Sequence, residues 1–407
     1  MNRKNNCSVR WFYLVIGVIA MLFAGVLYAW SILKAPLVTQ FNWNDPAPVA
    51  LNFTIAMSFF CVGGLLGARI SNKTGHKIAL LIAGVLSAFG FISTPLLNDG
   101  VVWKLYLTYG VLAGLGIGIA YNVLLGAINA WFPDKKGLCS GCLMMGFGAS
   151  ALVLGNIANA SFNSSIGWRG TYMILGAAIC VVITVAGLLL KKPDANTALP
   201  QPKARKSAKT ENFEQKDYTS AQMLKRPSFW LAFIYMTFLA AVGSSVISFA
   251  KDLALSVKAP EALAVSLVGV LSVCNGLGRI LTGAIFDVIG RRKTMLCANI
   301  LTIGAAAVTL LAVTVGSLPL CIAGLCLCGI SYGSCPTINS AFISSFYGMK
   351  YYPTNMALMT FNAMTSAFIA TLSNKVLEIS GGYNSTFVML LALSFVALIL
   401  NALIRKP

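Results

Sequence analysis

Apolar residues gather along this chain in long stretches joined by short polar segments, at 11–33, 47–67, 78–97, 105–127, 138–160 and 170–190, then at 229–250, 262–286, 294–314, 318–343, 352–373 and 383–404. Each approaches the ~20 residues that a helix needs to cross a hydrocarbon layer roughly 30 Å thick. A backbone in lipid must satisfy its own N–H and C=O groups, and an open-ended segment does so only as a helix. The pattern therefore predicts an all-α membrane protein with twelve transmembrane helices. The first stretch holds no charge and is too long for the core of a cleavable signal, so it is expected to remain as the first helix.

Composition agrees, with 57% of the 407 residues hydrophobic and 10% charged. A formal net charge of +19 would suit a nucleic-acid binder, but its placement points elsewhere. Of the 30 Lys and Arg, 23 fall in the two termini and the even-numbered connections, 6 fall in the odd-numbered connections, and Arg279 lies within a span. The positive-inside rule then puts both termini in the cytoplasm of a multi-pass protein of the cell (inner or plasma) membrane. The basic surplus reads as a topology signal in contact with an anionic lipid bilayer, with no nucleic-acid partner. Cys139 and Cys142 form the only C-x-x-C, at the start of an apolar span, and the chain has one His, so no metal or cofactor is expected.

Between the sixth and seventh stretches, residues 191–226 contain three prolines and nine Lys or Arg. Such a segment cannot bury apolar area and reads as a flexible or partly helical cytoplasmic linker. It divides the chain into two six-helix halves, 1–190 and 227–407. The halves echo one another: Ala68-x-x-x-Asn72-x-x-Gly75-His76-Lys77 follows the second stretch, and Gly283-x-x-x-Asp287-x-x-Gly290-Arg291-Arg292 follows the eighth at one constant offset. Two related halves with a binding site between them at the membrane midplane is how many secondary transporters are built.

One basic residue stays inside an apolar stretch. Arg279 lies about eight residues before the basic cluster that ends its helix, which puts its Cα about 12 Å inside the hydrocarbon at ~1.5 Å per residue. A guanidinium there keeps its proton and needs water or an anion. Asn275, one turn earlier on the same face, can hold the guanidinium or offer an amide to a ligand. None of the eleven acidic residues falls near the middle of a stretch.

These residues carry a resemblance. The 283–292 element resembles the loop signature of the major facilitator superfamily, with a degraded copy at 68–77 that has Ala68 for glycine and Asn72 for the acid. Within that superfamily, Trp131-Phe132-Pro133-Asp134-Lys135-Lys136-Gly137, Asn275-Gly276-Leu277-Gly278-Arg279 and Ser331-Tyr332-Gly333-Ser334-Cys335-Pro336 resemble the oxalate/formate exchanger group, and the likeness runs over nearly the whole chain. The resemblance implies a major facilitator fold, its two halves related by pseudo-two-fold symmetry, and Arg279 gripping a substrate carboxylate. The group's second cation, a lysine in helix eleven, is replaced here by Asn362, and two aromatic cage positions by Cys328 and Met359. In the neighbouring monocarboxylate carriers an aspartate linked to proton coupling stands where this chain has Asn275.

One buried cation can neutralise one carboxylate through a bidentate pair, whereas a dianion would keep a net charge in low dielectric. The expectation is thus a secondary active transporter, not an enzyme, that moves a small monocarboxylate such as formate, lactate or pyruvate by alternating access. Anion exchange ranks ahead of proton-coupled symport; dicarboxylate exchange and a transport-inactive carboxylate sensor remain as alternatives. Further candidates to line the site are Tyr28, Tyr121, Asn122, Tyr332 and Asn362. Tyr28 and Trp30 are candidates for an extracellular gate or an interfacial aromatic belt. Asp134 with Lys135 and Lys136, and Asp287 with Arg291 and Arg292, are expected to latch the cytoplasmic side. A monomer is expected.

Overall fold

The computed structural model describes residues 3–43, 46–97, 100–132, 136–191, 193, 199, 217–348 and 351–405, without the side chains of 3–8, 46–47, 136–138, 287, 344, 352 and 353. Twelve of its helices are long and apolar enough to cross a membrane: α1 (Val9–Phe41), α2 (Pro48–Thr74), α3 (His76–Leu96), α4 (Val102–Asn129), α5 (Cys139–Phe162), α6 (Gly167–Leu189), α7 (Pro227–Ser256), α8 (Glu261–Phe286), α9 (Arg291–Val315), α10 (Leu318–Tyr347), α11 (Thr354–Ser380) and α12 (Tyr383–Leu403). No strand occurs among the described residues. Most boundaries fall within a few residues of the apolar stretches, while α1, α2, α7 and α11 run further, to Phe41, Thr74, Ser256 and Ser380. An apolar count measures hydrocarbon thickness, whereas the i to i−4 ladder continues into polar residues until a cap stops it.

The two echoing turns adopt one conformation. Gly75 (φ 89°, ψ 163°) ends the α2–α3 turn and Gly290 (φ 76°, ψ 175°) the α8–α9 turn, a region of backbone space that strains any residue with a Cβ. Large apolar side chains such as Phe89, Leu188 and Ile399 stay exposed around the periphery, as lipid-facing positions do.

Within each half, α2 packs on α4 and α3 on α6, then α8 on α10 and α7 on α11. The halves meet along two helix pairs, α5 with α8 and α2 with α11, and through the distal segment of α1 against α7. Three of the helices that line the centre are irregular. α1 passes through a 3₁₀ turn at Gly25–Ala29, α7 kinks at Phe249 (φ −131°, ψ 19°), and α11 breaks at Phe361, between Tyr352–Thr360 and Asn362–Ser380. Carbonyls released at such breaks take side-chain donors instead.

Most of the linker expectation lies outside the described residues, but its two ends are tied down. The α6 end is held by Trp131 Nε1 donating to the Lys191 carbonyl (2.7 Å) and by His76 Nε2 at 2.7 Å from the Leu190 carbonyl. The other end forms a short helix, Ser220–Leu224, capped reciprocally by Thr219 and Gln222. It docks on the α10–α11 junction: the Tyr218 N–H donates to the Tyr347 carbonyl (3.0 Å), and Asn355 Nδ2 donates to the Tyr218 carbonyl (2.9 Å).

Candidate functional site

α8 is the helix on which the centre is built, because it is pressed from both sides. A Cβ on Gly333 of α10 would collide with the Asn275 carbonyl, and one on Gly148 of α5 would meet the Ser272 carbonyl at 2.5 Å. Only glycine permits backbones to approach that closely. With two flanks covered, the face carrying Asn275 and Arg279 turns to the middle of the bundle, where Asn275 is 0% and Arg279 4% exposed.

Three phenols from three other helices converge on the guanidinium. Tyr28 in the 3₁₀ turn of α1, Tyr121 of α4 and Tyr332 of α10 all lie within its electrostatic reach. A phenol oxygen can accept from the guanidinium while its own O–H turns toward a carboxylate. The rings form one box: Tyr28 meets Phe147 edge-on (centroids 5.1 Å apart) and Tyr332 at 6.2 Å, and Tyr121 contacts Phe147 at 5.1 Å and Phe60 at 5.2 Å. Phe147 of α5 is thus the hub, and neither it nor Phe60 stood out in the sequence. The available signal was Phe147's place between Gly146 and Gly148, where two helices had to approach.

The box holds an unneutralised cation. Among the described residues Arg279 Nε and Nη1 are buried without a hydrogen-bond partner, as are Nδ2 and Oδ1 of Asn275. The described residues include the ion pairs Lys34–Asp252, Lys251–Glu261 and Lys375–Glu378, and none of these involves Arg279. Leaving a guanidinium so placed costs several kcal/mol unless an anion joins it. The arrangement can therefore take one carboxylate on the guanidinium fork, with amide and phenol donors beside it. No group of three His, Cys, Asp or Glu side chains is placed to hold a metal among the described residues.

Other sequence candidates have partners of their own. Asn362 is buried at the α11 break, with its amide paired reciprocally to Asn339 of α10 (3.0 and 3.3 Å), a partner sequence reasoning missed. Asn122 is exposed, and its Nδ2 turns back to the Gly118 carbonyl of its own helix (3.5 Å), so it does not join Tyr121 in the box. Cys328 faces α9, its sulfur 3.7 Å from Thr309 Oγ1. An interfacial belt position for Trp30 is corrected: the residue is fully buried, its ring lies tilted against Tyr109 at 4.7 Å and its Nε1 donates to the Val49 carbonyl (3.3 Å), within the first half. Of the latch residues, Asp134 and Lys135 lie outside the described residues, as does the side chain of Asp287. Arg291 is described, and it covers the Phe346 ring at 4.1 Å, while Arg292 is exposed.

Twelve helices in two symmetry-related halves, closing on a buried central cation, define a membrane transporter. The chain belongs to the Major Facilitator Superfamily, whose pattern matches residues 12–371 and 236–407. It is 28% identical to the oxalate:formate antiporter of Oxalobacter formigenes over 95% of this chain and 90% of that protein. It is 26% identical to the uncharacterized MFS-type transporter YhjX of Escherichia coli (strain K12), over 88% and 86%. Human monocarboxylate transporter 1 is 31% identical over a shorter region, 34% of this chain and 27% of that protein. Among solved structures, nucleoside transporter NupG (D323A mutant) shares the fold with a TM-score of 0.70 at 14% identity, covering 97% of this chain and 100% of that one. A bacterial homolog of the human lysosomal transporter Spinster, inward-facing and unoccupied, shares it with a TM-score of 0.68 at 14% identity over 97% and 96%.

Proposed function

We propose that this transporter carries a small monocarboxylate, such as formate, lactate or pyruvate, by alternating access, with Arg279 as its anion receptor. The observation that supports this most directly is the buried guanidinium with two nitrogens unpartnered among the described residues. One cation matches one carboxylate. The position where the oxalate/formate exchanger group has its second cation holds Asn362, whose amide is engaged by Asn339. A dicarboxylate would thus bring a second negative charge into a low-dielectric box without a partner. Likeness to an oxalate:formate antiporter and to monocarboxylate transporters agrees with a small organic anion as cargo.

Exchange of one anion for another is the favoured mode. Among the described residues no carboxylate joins Arg279, so the return of the empty carrier would move a bare buried cation through the closed state, which an exchanged anion avoids. The basic surplus of the linker and termini places both in the cytoplasm in this reading. The test is counterflow in proteoliposomes with labelled formate, lactate, pyruvate and oxalate, with and without a pH gradient. Exchange of the monoacids that is indifferent to the gradient is expected. Uptake that requires an inward proton gradient would establish symport, and preference for oxalate would overturn the single-cation argument.

A further inference from the structure

Lys34, in the distal segment of α1, crosses to the other half. Its Nζ lies 3.0 Å from Asp252 Oδ2 and 3.5 Å from the Ser248 carbonyl, both on α7. These partners flank the Phe249 kink, and α1 reaches them through Trp30–Phe41, the segment beyond its 3₁₀ turn. Among the ion pairs of the described residues, Lys251–Glu261 and Lys375–Glu378 each stay within the second half, whereas Lys34–Asp252 joins the two halves. It lies at the end of the bundle opposite the linker, so that end cannot open while the pair holds.

The pair is asymmetric. The Lys34 side chain is 12% exposed and the Asp252 side chain 47%. When the halves part, both groups gain solvent, and the ammonium, the more shielded partner in this arrangement, gives up the counter-charge it holds here. Another anion arriving at that moment can replace it. Tyr28, near Arg279, lies six residues back on the same helix, or about 9 Å along its axis. Lys34 is therefore the cation an anion would meet about two turns before the central box.

We infer that Lys34 is both the bolt of the gate opposite the linker and the first contact of an incoming carboxylate, which replaces Asp252 on the ammonium as the gate opens. This rests on the monocarboxylate reading for its cargo but not for its bolt, and the experiment separates them. In oriented proteoliposomes, Lys34→Gln should raise the apparent KM for labelled formate offered on the face opposite the linker by about tenfold, the loss of one charge-assisted contact. The KM from the linker face should stay unchanged, and Lys34→Arg should behave as wild type. A merely structural role would move both faces together, and an equal change on both faces, or none, overturns the capture step. A short bis-methanethiosulfonate bridge across Lys34→Cys and Asp252→Cys should arrest formate counterflow, with recovery on reduction and no effect of the reagent on wild type. Undiminished counterflow with the bridge formed overturns the bolt. Wild-type vesicles that move none of the monoacids would count against the cargo alone. The bolt is then read from impermeant-maleimide labelling of Ser248→Cys, which Asp252→Asn should increase and which, if unchanged, refutes it.

Discussion

Replacing Arg279 by lysine keeps the charge and removes the fork, so it isolates geometry from electrostatics. Arg279 is 4% exposed, with Nε and Nη1 unpartnered among the described residues and phenols from three helices nearby. A carboxylate bound to two of its N–H groups makes two charge-assisted bonds, and an ammonium at the same site keeps one. Each such bond is worth about 1.5–3 kcal/mol, so losing one weakens binding roughly 10- to 150-fold at about 1.4 kcal/mol per decade. Arg279→Gln also removes the charge, and stranding a buried anion costs about 3–5 kcal/mol, or two to almost four decades. The assay is formate counterflow in proteoliposomes across a substrate range wide enough to resolve KM, with thermal stability measured in parallel. Wild type, Arg279→Lys and Arg279→Gln should fall in that order while all three remain folded. An Arg279→Lys protein with KM within about twofold of wild type would refute bidentate recognition, because a point charge would then suffice.

Other changes probe the surroundings of that residue. Tyr28→Phe, Tyr121→Phe and Tyr332→Phe each remove one donor and should raise the formate KM about 2- to 10-fold, the worth of one hydrogen bond, with no effect if the phenols only pack. Asn362→Lys adds a second cation where Asn339 now binds the amide, so inhibition of formate counterflow by oxalate should strengthen relative to inhibition by lactate; an unchanged ratio would show that charge at this position does not select the cargo. Gly333→Ala drives a methyl into the Asn275 carbonyl, so overpacking should lower stability by about 1–3 kcal/mol and reduce the yield of folded protein in a thermal-shift and size-exclusion assay. A Gly333→Ala protein as stable as wild type would mean that α10 can slide along α8.

Twelve spans, the internal repeat and the burial of Arg279 were legible in the order of residues, because a bilayer sorts side chains along one dimension. Any stretch near twenty apolar residues must span it, and a guanidinium among them must turn inward. The glycines at Gly75 and Gly290 were legible as a repeat for a related reason, since a backbone that needs positive φ accepts little else. The partners of the central residues were not legible. Phe60 and Phe147 look like any apolar residue until helix packing brings them to Tyr121, and Asn362 offers an amide whose occupation by Asn339 depends on how α10 lies against α11. The crossing from Lys34 to Asp252 depends on the 3₁₀ turn in α1 and the kink at Phe249, which change the helical phase that an ideal wheel assumes. Hydrophobicity is a property of single residues and survives in the sequence. Side-chain partnership is decided by competition among neighbours supplied by other helices, and only the packed bundle resolves it.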